Sequence, residues 1–175
     1  FLIEHEESKS DRIQRFAAAM ETRTGRGDDP LDEPFLVQLQ NDILGTSAMR
    51  SGIRRSPVFI GESNMTGEVI HYVAPHWDQI GPMLQGLRDF ANKTAGRSAL
   101  LRAAALSFGF VFIHPMADGN GRISRFLLND TLRRDGDVPE PFILPISAVI
   151  TRSVTNRASY DKALENYSHP FMMRY

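Results

Sequence analysis

Apolar residues recur along most of this chain at the three-and-four spacing of helices that bury one face, and two short β-favouring runs interrupt them once. Ser8 or Ser10 caps a first helix reaching about Thr24, with Ile13, Phe16, Ala17 and Met20 on one face. Gly25 to Pro30 is turn-rich. Asp32 caps a second helix with Pro34 near its first turn. Phe35, Leu36, Leu39, Ile43 and Leu44 are its apolar positions, and Gly45 ends it. Ser56–Ile60 and Val69–Val73 read as the strands of a hairpin joined by a polar loop from Gly61 to Gly67. Such a hairpin is marginal alone, so it should lean on the helical body. Helices resume from Trp77 to about Lys93, striped by Ile80, Met83, Leu84, Leu87 and Phe90. Ser98 caps the next, Ala99 to about Phe112. Its Leu100, Leu101, Ala104, Ala105, Phe108 and Val111 make it apolar nearly all round, as expected of a central, buried helix. After a turn at Arg134–Pro141, Phe142–Pro145 leads into a last helical region, Ser147 to about Tyr167. No repeat or low-complexity linker marks a domain boundary.

The chemistry concentrates between the buried helix and the helical pattern Ile123, Phe126, Leu127, Leu132. There stands His114-Pro115-Met116-Ala117-Asp118-Gly119-Asn120-Gly121-Arg122-Ile123-Ser124-Arg125. Gly119 and Gly121 admit positive φ and let a ligand approach the main chain. The loop feeds the first turn of a helix, whose free N–H groups attract anions. Arg122 and Arg125 share one helix face, which Asn129 extends. Guanidinium groups suit a polyphosphate. Asp118 is a hard oxygen ligand of the kind Mg²⁺ on a nucleotide takes. His114 sits at the negative end of the preceding helix, which favours a basic imidazole able to act as general base. Together these residues describe group transfer from a nucleotide to a hydroxyl.

The same residues resemble the signature of Fic-domain proteins, H-x-F-x-[D/E]-G-N-G-R-x-x-R, with apolar Met116 where the pattern has Phe. The resemblance implies an all-α, Fic-fold helical bundle with a small β-hairpin flap. It implies transfer of AMP from ATP to a hydroxyl side chain of a target protein. His114 would deprotonate the hydroxyl, and Asp118 would hold Mg²⁺. Gly119, Asn120 and Gly121 would cradle the phosphates, with Arg122 and Arg125 neutralising them. Gly52-Ile53-Arg54-Arg55 ahead of Val58-Phe59-Ile60-Gly61 resembles the flap that docks the target strand; a purely structural hairpin is the alternative. Arg157, Tyr160 and Leu164 resemble the closing helix on the adenine side, where Tyr160 either stacks on the base or packs in the core. Phe1-Leu2-Ile3-Glu4-His5-Glu6 resembles the end of an autoinhibitory pattern, [S/T]-x-x-x-E-[G/N], whose glutamate pairs with the second arginine of the signature. His5 departs from that pattern, and a solvated, idle terminus is the other reading. Phosphorylation, transfer of phosphocholine or another nucleotide, removal of AMP, and a nucleotide-binding module with little turnover all stay open.

Composition changes this picture little. The 175 residues fit one Fic domain over 1–175, expected to be part of a longer chain. A net charge of −1 implies no general attraction to nucleic acid or membranes. With no cysteine there is no disulfide framework and no thiolate chemistry. There is no long apolar run or signal-peptide pattern, so a cytoplasmic protein is expected. ATP and a target protein are the expected partners; self-modification and homo-oligomerisation are left open.

Overall fold

The computed structural model describes residues 9–27, 29–45, 51–64, 67–146, 149 and 153–172. Helices α1 (Lys9–Arg23) and α2 (Glu33–Leu44) come first. The antiparallel hairpin β1 (Phe59–Asn64) and β2 (Gly67–Val73) follows. A 3-10 turn at Trp77–Gln79 opens α3 (Ile80–Lys93), and α4 (Ala99–Ile113), α5 (Asn120–Arg134) and α6 (Val154–Met172) follow among the described residues. No helix among the described residues is long and apolar enough to cross a membrane.

The larger of two buried apolar clusters among the described residues organises the bundle. It joins Ala19 and Met20 of α1, Leu36, Leu39 and Ile43 of α2, Ile80 and Leu84 of α3, Phe110 of α4, and Ile123, Phe126 and Leu127 of α5. Fully burying each large side chain contributes about 1.5–3 kcal/mol. Gly109 permits a close approach of α3 to α4: a Cβ there would lie 2.6 Å from Leu87 Cδ2. Helices α4 and α5 pack along each other, so the loop between them, 114–119, is held at both ends by buried elements. Met116 within it is fully buried and anchors the loop in the core, the role expected of an apolar residue there.

Several expectations need correction. Gly61–Asn64 is paired strand rather than loop, because a bulge between Ile60 and Gly61 shifts the register and carries the pairing on to Asn64↔Gly67. Helix α4 is not covered all round: Leu100 is 63% and Leu101 71% exposed. Its other faces meet α3, α5, the hairpin side and α6. Ile13 and Ala17 are exposed on α1 while Phe16, Ala19 and Met20 face inward. Gly45, just past the end of α2, already lies against the Arg15 guanidinium, so Ile13 overhangs its partner helix. Asp32 and Ser98 stand at the helix N-caps but make no side-chain cap bond. Asp32 accepts from Arg88 Nη2 at 3.3 Å instead. The last helix runs from Val154 to Met172, past the expected end at Tyr167, and packs on β2; Ile146 and Val149 ahead of it are helical, and the rest of the expected opening, 147–148 and 150–152, lies outside the described residues. Tyr167 from α6 closes on Phe108 of α4, ring centroids 5.2 Å apart.

Candidate active site

Helix α4 ends at His114, which caps it in the left-handed conformation with φ 50° and ψ 55°. His114 is the one non-glycine residue with positive φ among the described residues. Such a conformation costs of order 1–3 kcal/mol and persists only where surrounding structure enforces it. The enforcement is visible. His114 N–H donates to Phe110 O at 2.9 Å, and the ring Nδ1 lies 3.3 Å from Val111 O. Since a carbonyl can only accept, Nδ1 carries the proton and Nε2 keeps the lone pair. Burial pushes the imidazole below its usual range; the Val111 bond and Asp118 pull the other way, and Arg54 adds to the lowering. The expectation of a more basic histidine at the helix terminus thus meets an opposing influence, since burial disfavours the charged ring.

The loop beyond His114 is held by bonds to distant backbone and side chains. Asn120 accepts from Met116 N–H through Oδ1 and donates to Met116 O through Nδ2, each at 2.8 Å. Its side chain is thus spent on the loop, so only its backbone N–H is left for the phosphate cradle expected of it. Gln40, fully buried on α2, donates to Asp118 O at 2.8 Å and accepts from Gly52 N–H at 2.7 Å. Ala117 N–H donates to Gly52 O and Arg54 N–H to Pro115 O, so residues 52–54 pair with the loop around an Ile53↔Met116 bridge.

Helix α5 starts from Gly119 at φ 83°, a conformation that glycine takes without strain. The Arg122 and Ile123 amides turn back onto Gly119 O. The amides of Asn120 and Gly121 lead the helix, where N–H groups have no intrahelical acceptor. Arg122 donates to Ile43 O at 3.5 Å. The Arg125 guanidinium folds back over this N-terminus: a Cβ on Gly121 would lie 3.5 Å from Arg125 Nη1. Arg125 Nε is buried with no hydrogen bond among the described residues. Burial lowers the Arg125 pKa, Tyr160 opposes this, and Arg122 adds to the lowering. Two cations and a helix N-terminus thus converge a few residues beyond a neutral imidazole.

The sequence model of the Fic/DOC family matches residues 30–132, which hold every element of this arrangement up to the end of α5 but its last two residues. The chain belongs to the Fic/DOC family. Protein adenylyltransferase fic-1 of Caenorhabditis briggsae is 31% identical over 115 residues, 63% of this chain and 20% of that protein. The Caenorhabditis elegans protein of the same name is 31% identical over 120 residues, 67% of this chain and 22% of that one. This chain thus spans about a fifth of the length of these curated relatives. A Fic family protein from Desulfovibrio desulfuricans G20 shares the fold at a TM-score of 0.60 and 22% identity, over 91% of this chain and 43% of that one. Fic-1 of C. elegans does so at 0.56 and 23%, over 91% and 44%.

In this Fic domain the remaining expected residues divide. Tyr160 on α6 is half-buried and within electrostatic reach of Arg125; burial raises its pKa, Arg125 lowers it and Asp161 raises it. Asn129 does not extend the arginine face. It is buried, donates to Arg125 O and Leu144 O, and accepts from Leu144 N–H, pinning the segment after α5. In the flap, Phe59 is 58% exposed and Val58 half-buried, and β1 has an open outer edge among the described residues. Ile60 and Gly61 lie on that strand. The Arg157 side chain, Glu4 and His5 lie outside what is described. Asp118 is exposed, with Oδ1 accepting from Gly119 N–H at 2.5 Å. No group of three or more His, Cys, Asp or Glu could hold a metal among the described residues. One exposed carboxylate fits Mg²⁺ that arrives on a nucleotide and keeps phosphate oxygens and water as its other ligands.

Sequence reasoning gave no role to Gln40 or Tyr72 and named Arg54 only within the flap-like stretch 52–55; all three are buried. Gln40 carried a signal: a polar residue on the apolar face of α2, between Leu36, Leu39 and Ile43. Arg54 carried none that set it apart from Arg55.

Proposed function

We propose that this Fic domain is a protein adenylyltransferase, moving AMP from ATP to a hydroxyl side chain of a target protein. The observation that carries this reading is the meeting of a neutral His114 with a helix N-terminus bearing Arg122 and Arg125. The relatives named protein adenylyltransferase support it. His114 Nε2 takes the proton from the target hydroxyl as its oxygen attacks the α-phosphorus. The bond to the bridging oxygen breaks, and pyrophosphate leaves with the electron pair. The leading amides of α5, from Asn120 and Gly121, receive the α- and β-phosphates, and Gly119, whose own amide is bonded to Asp118 Oδ1, supplies the turn that lets the phosphates approach. Arg122 meets the β-phosphate and Arg125 the γ-phosphate, which aims the α-phosphorus at the hydroxyl. Tyr160 faces the base. Asp118 would hold Mg²⁺, which would offset charge on the phosphates. Positioning and electrostatics carry most of such a reaction.

The target enters as an extended segment along the open edge of β1, over Val58, Phe59, Ile60 and Gly61. Glu4 would compete with the γ-phosphate for Arg125, a bidentate carboxylate partner in place of a phosphate. Intact-mass spectrometry of the parent and the Glu4→Gly chain, incubated with ATP and Mg²⁺, tests the reading. A gain of adenylyl groups supports it. Gain of a phosphoryl group, or no gain on either chain or on lysate proteins exposed to tagged ATP, overturns it.

A further inference from the structure

Arg54 is 3% exposed, and none of the ion pairs among the described residues includes it. A buried cation without a carboxylate is expensive unless its donors are filled. Here four of its five N–H donors are filled, all by carbonyls. Nε donates to His114 O at 2.6 Å, and Nη2 donates to Ile113 O at 3.2 Å and Pro75 O at 2.6 Å. Nη1 donates to Ser56 O at 3.0 Å. The first two carbonyls are the C-terminal end of α4, where a helix favours positive charge. The other two are the feet of the flap: Ser56 three residues before β1, Pro75 two after β2. Tyr72 OH ties β2 to the same end of α4 by donating to Phe112 O.

We infer that Arg54 is a positioning residue, one guanidinium that fixes the backbone of His114 and both feet of the flap in a single frame. It touches no reacting atom. Its effect is to hold His114 in the left-handed conformation and set the base at a fixed distance from whatever strand the flap holds. Mislocating a base by an ångström can cost about 100-fold. A lysine, with one ammonium in place of a planar fork, reaches one end of this frame at a time.

The inference rests on the adenylyl-transfer reading, and two measurements keep the two separable. The first is hydrogen exchange on Arg54→Met and Arg54→Lys, which needs no turnover. The His114 amide, bonded to Phe110 O, and the Ala74 amide, bonded to Val58 O, should lose protection together by at least about tenfold. The Leu84 and Leu87 amides of α3 should keep theirs. Parent-like protection at both reporters, or equal loss throughout the chain, overturns the inference. The second is self-adenylylation in the Glu4→Gly background, per ATP site counted by calorimetry. Arg54→Met should lower kcat at least about tenfold, with the KM for ATP within about twofold, and Arg54→Lys should recover part of the loss. Parent kcat in Arg54→Met overturns the inference alone. A parent that transfers nothing overturns the adenylyl-transfer reading, and exchange still decides the role of Arg54.

Discussion

Asn120 is the residue whose assignment the structure changes most. Replacing it by alanine removes both bonds to Met116 and leaves a buried N–H and a buried C=O with no partner. Each orphaned group costs about 1–3 kcal/mol. Alanine regains up to about 0.6 kcal/mol as a better helix former at the start of α5. The net loss is about 1.5–5.5 kcal/mol, or roughly 3–20 °C in Tm for a domain of this size. Urea unfolding followed by the fluorescence of Trp77, the single tryptophan, measures it directly. Because the staple shapes the loop between His114 and α5, transfer should fall with stability. A loss under about 0.5 kcal/mol, with the defect confined to ATP affinity, would refute the reasoning and return this side chain to the ligand.

Three further outcomes follow from the site. His114 has its pKa lowered from 6.5, chiefly by burial. Its neutral form therefore adds stability that is complete above pH 6.5 and is lost as pH falls below that value through the folded pKa. The acidic limb of kcat/KM should accordingly lie below pH 6.5, and a limb at or above it contradicts the burial argument. Asp118→Ala should lower the rate and weaken its Mg²⁺ dependence; superimposable Mg²⁺ titrations of variant and parent would remove the metal from this carboxylate. Glu4→Gly should raise labelling by radioactive ATP at least about tenfold, about 1.4 kcal/mol of released competition for Arg125. Equal labelling with both chains folded would show that Glu4 does not gate the site.

Much of this was legible along the chain because it is local. The signature from His114 to Arg125 places imidazole, carboxylate, glycines and arginines within one loop and one helical turn. Sequence order alone puts them near each other. The apolar periods of α2 and α3 likewise needed no partner to be recognised. What escaped depends on residues far apart in sequence. Gln40 reaches Asp118 across 78 positions, and Arg54 reaches His114 across 60. Neither pairing has a local period. Burial misled in both directions for the same reason. Leu100 and Leu101 look like core but are exposed, and the helix end suggested a basic His114 whose ring the packing behind it desolvates. Gly61 looked like a loop because glycine usually breaks strands, and here it sits at a bulge that lets the strand continue.

The central claim is that His114 is the base of a nucleotidyl transfer built on an intact ATP site. It is tested most directly by His114→Ala in the Glu4→Gly background, comparing incorporation of label from α-³²P-ATP with ATP binding by calorimetry. The account predicts labelling reduced about 10²- to 10⁴-fold, with ATP affinity and Tm close to the parent. Labelling within a few-fold of the parent by a folded, ATP-binding variant would contradict it.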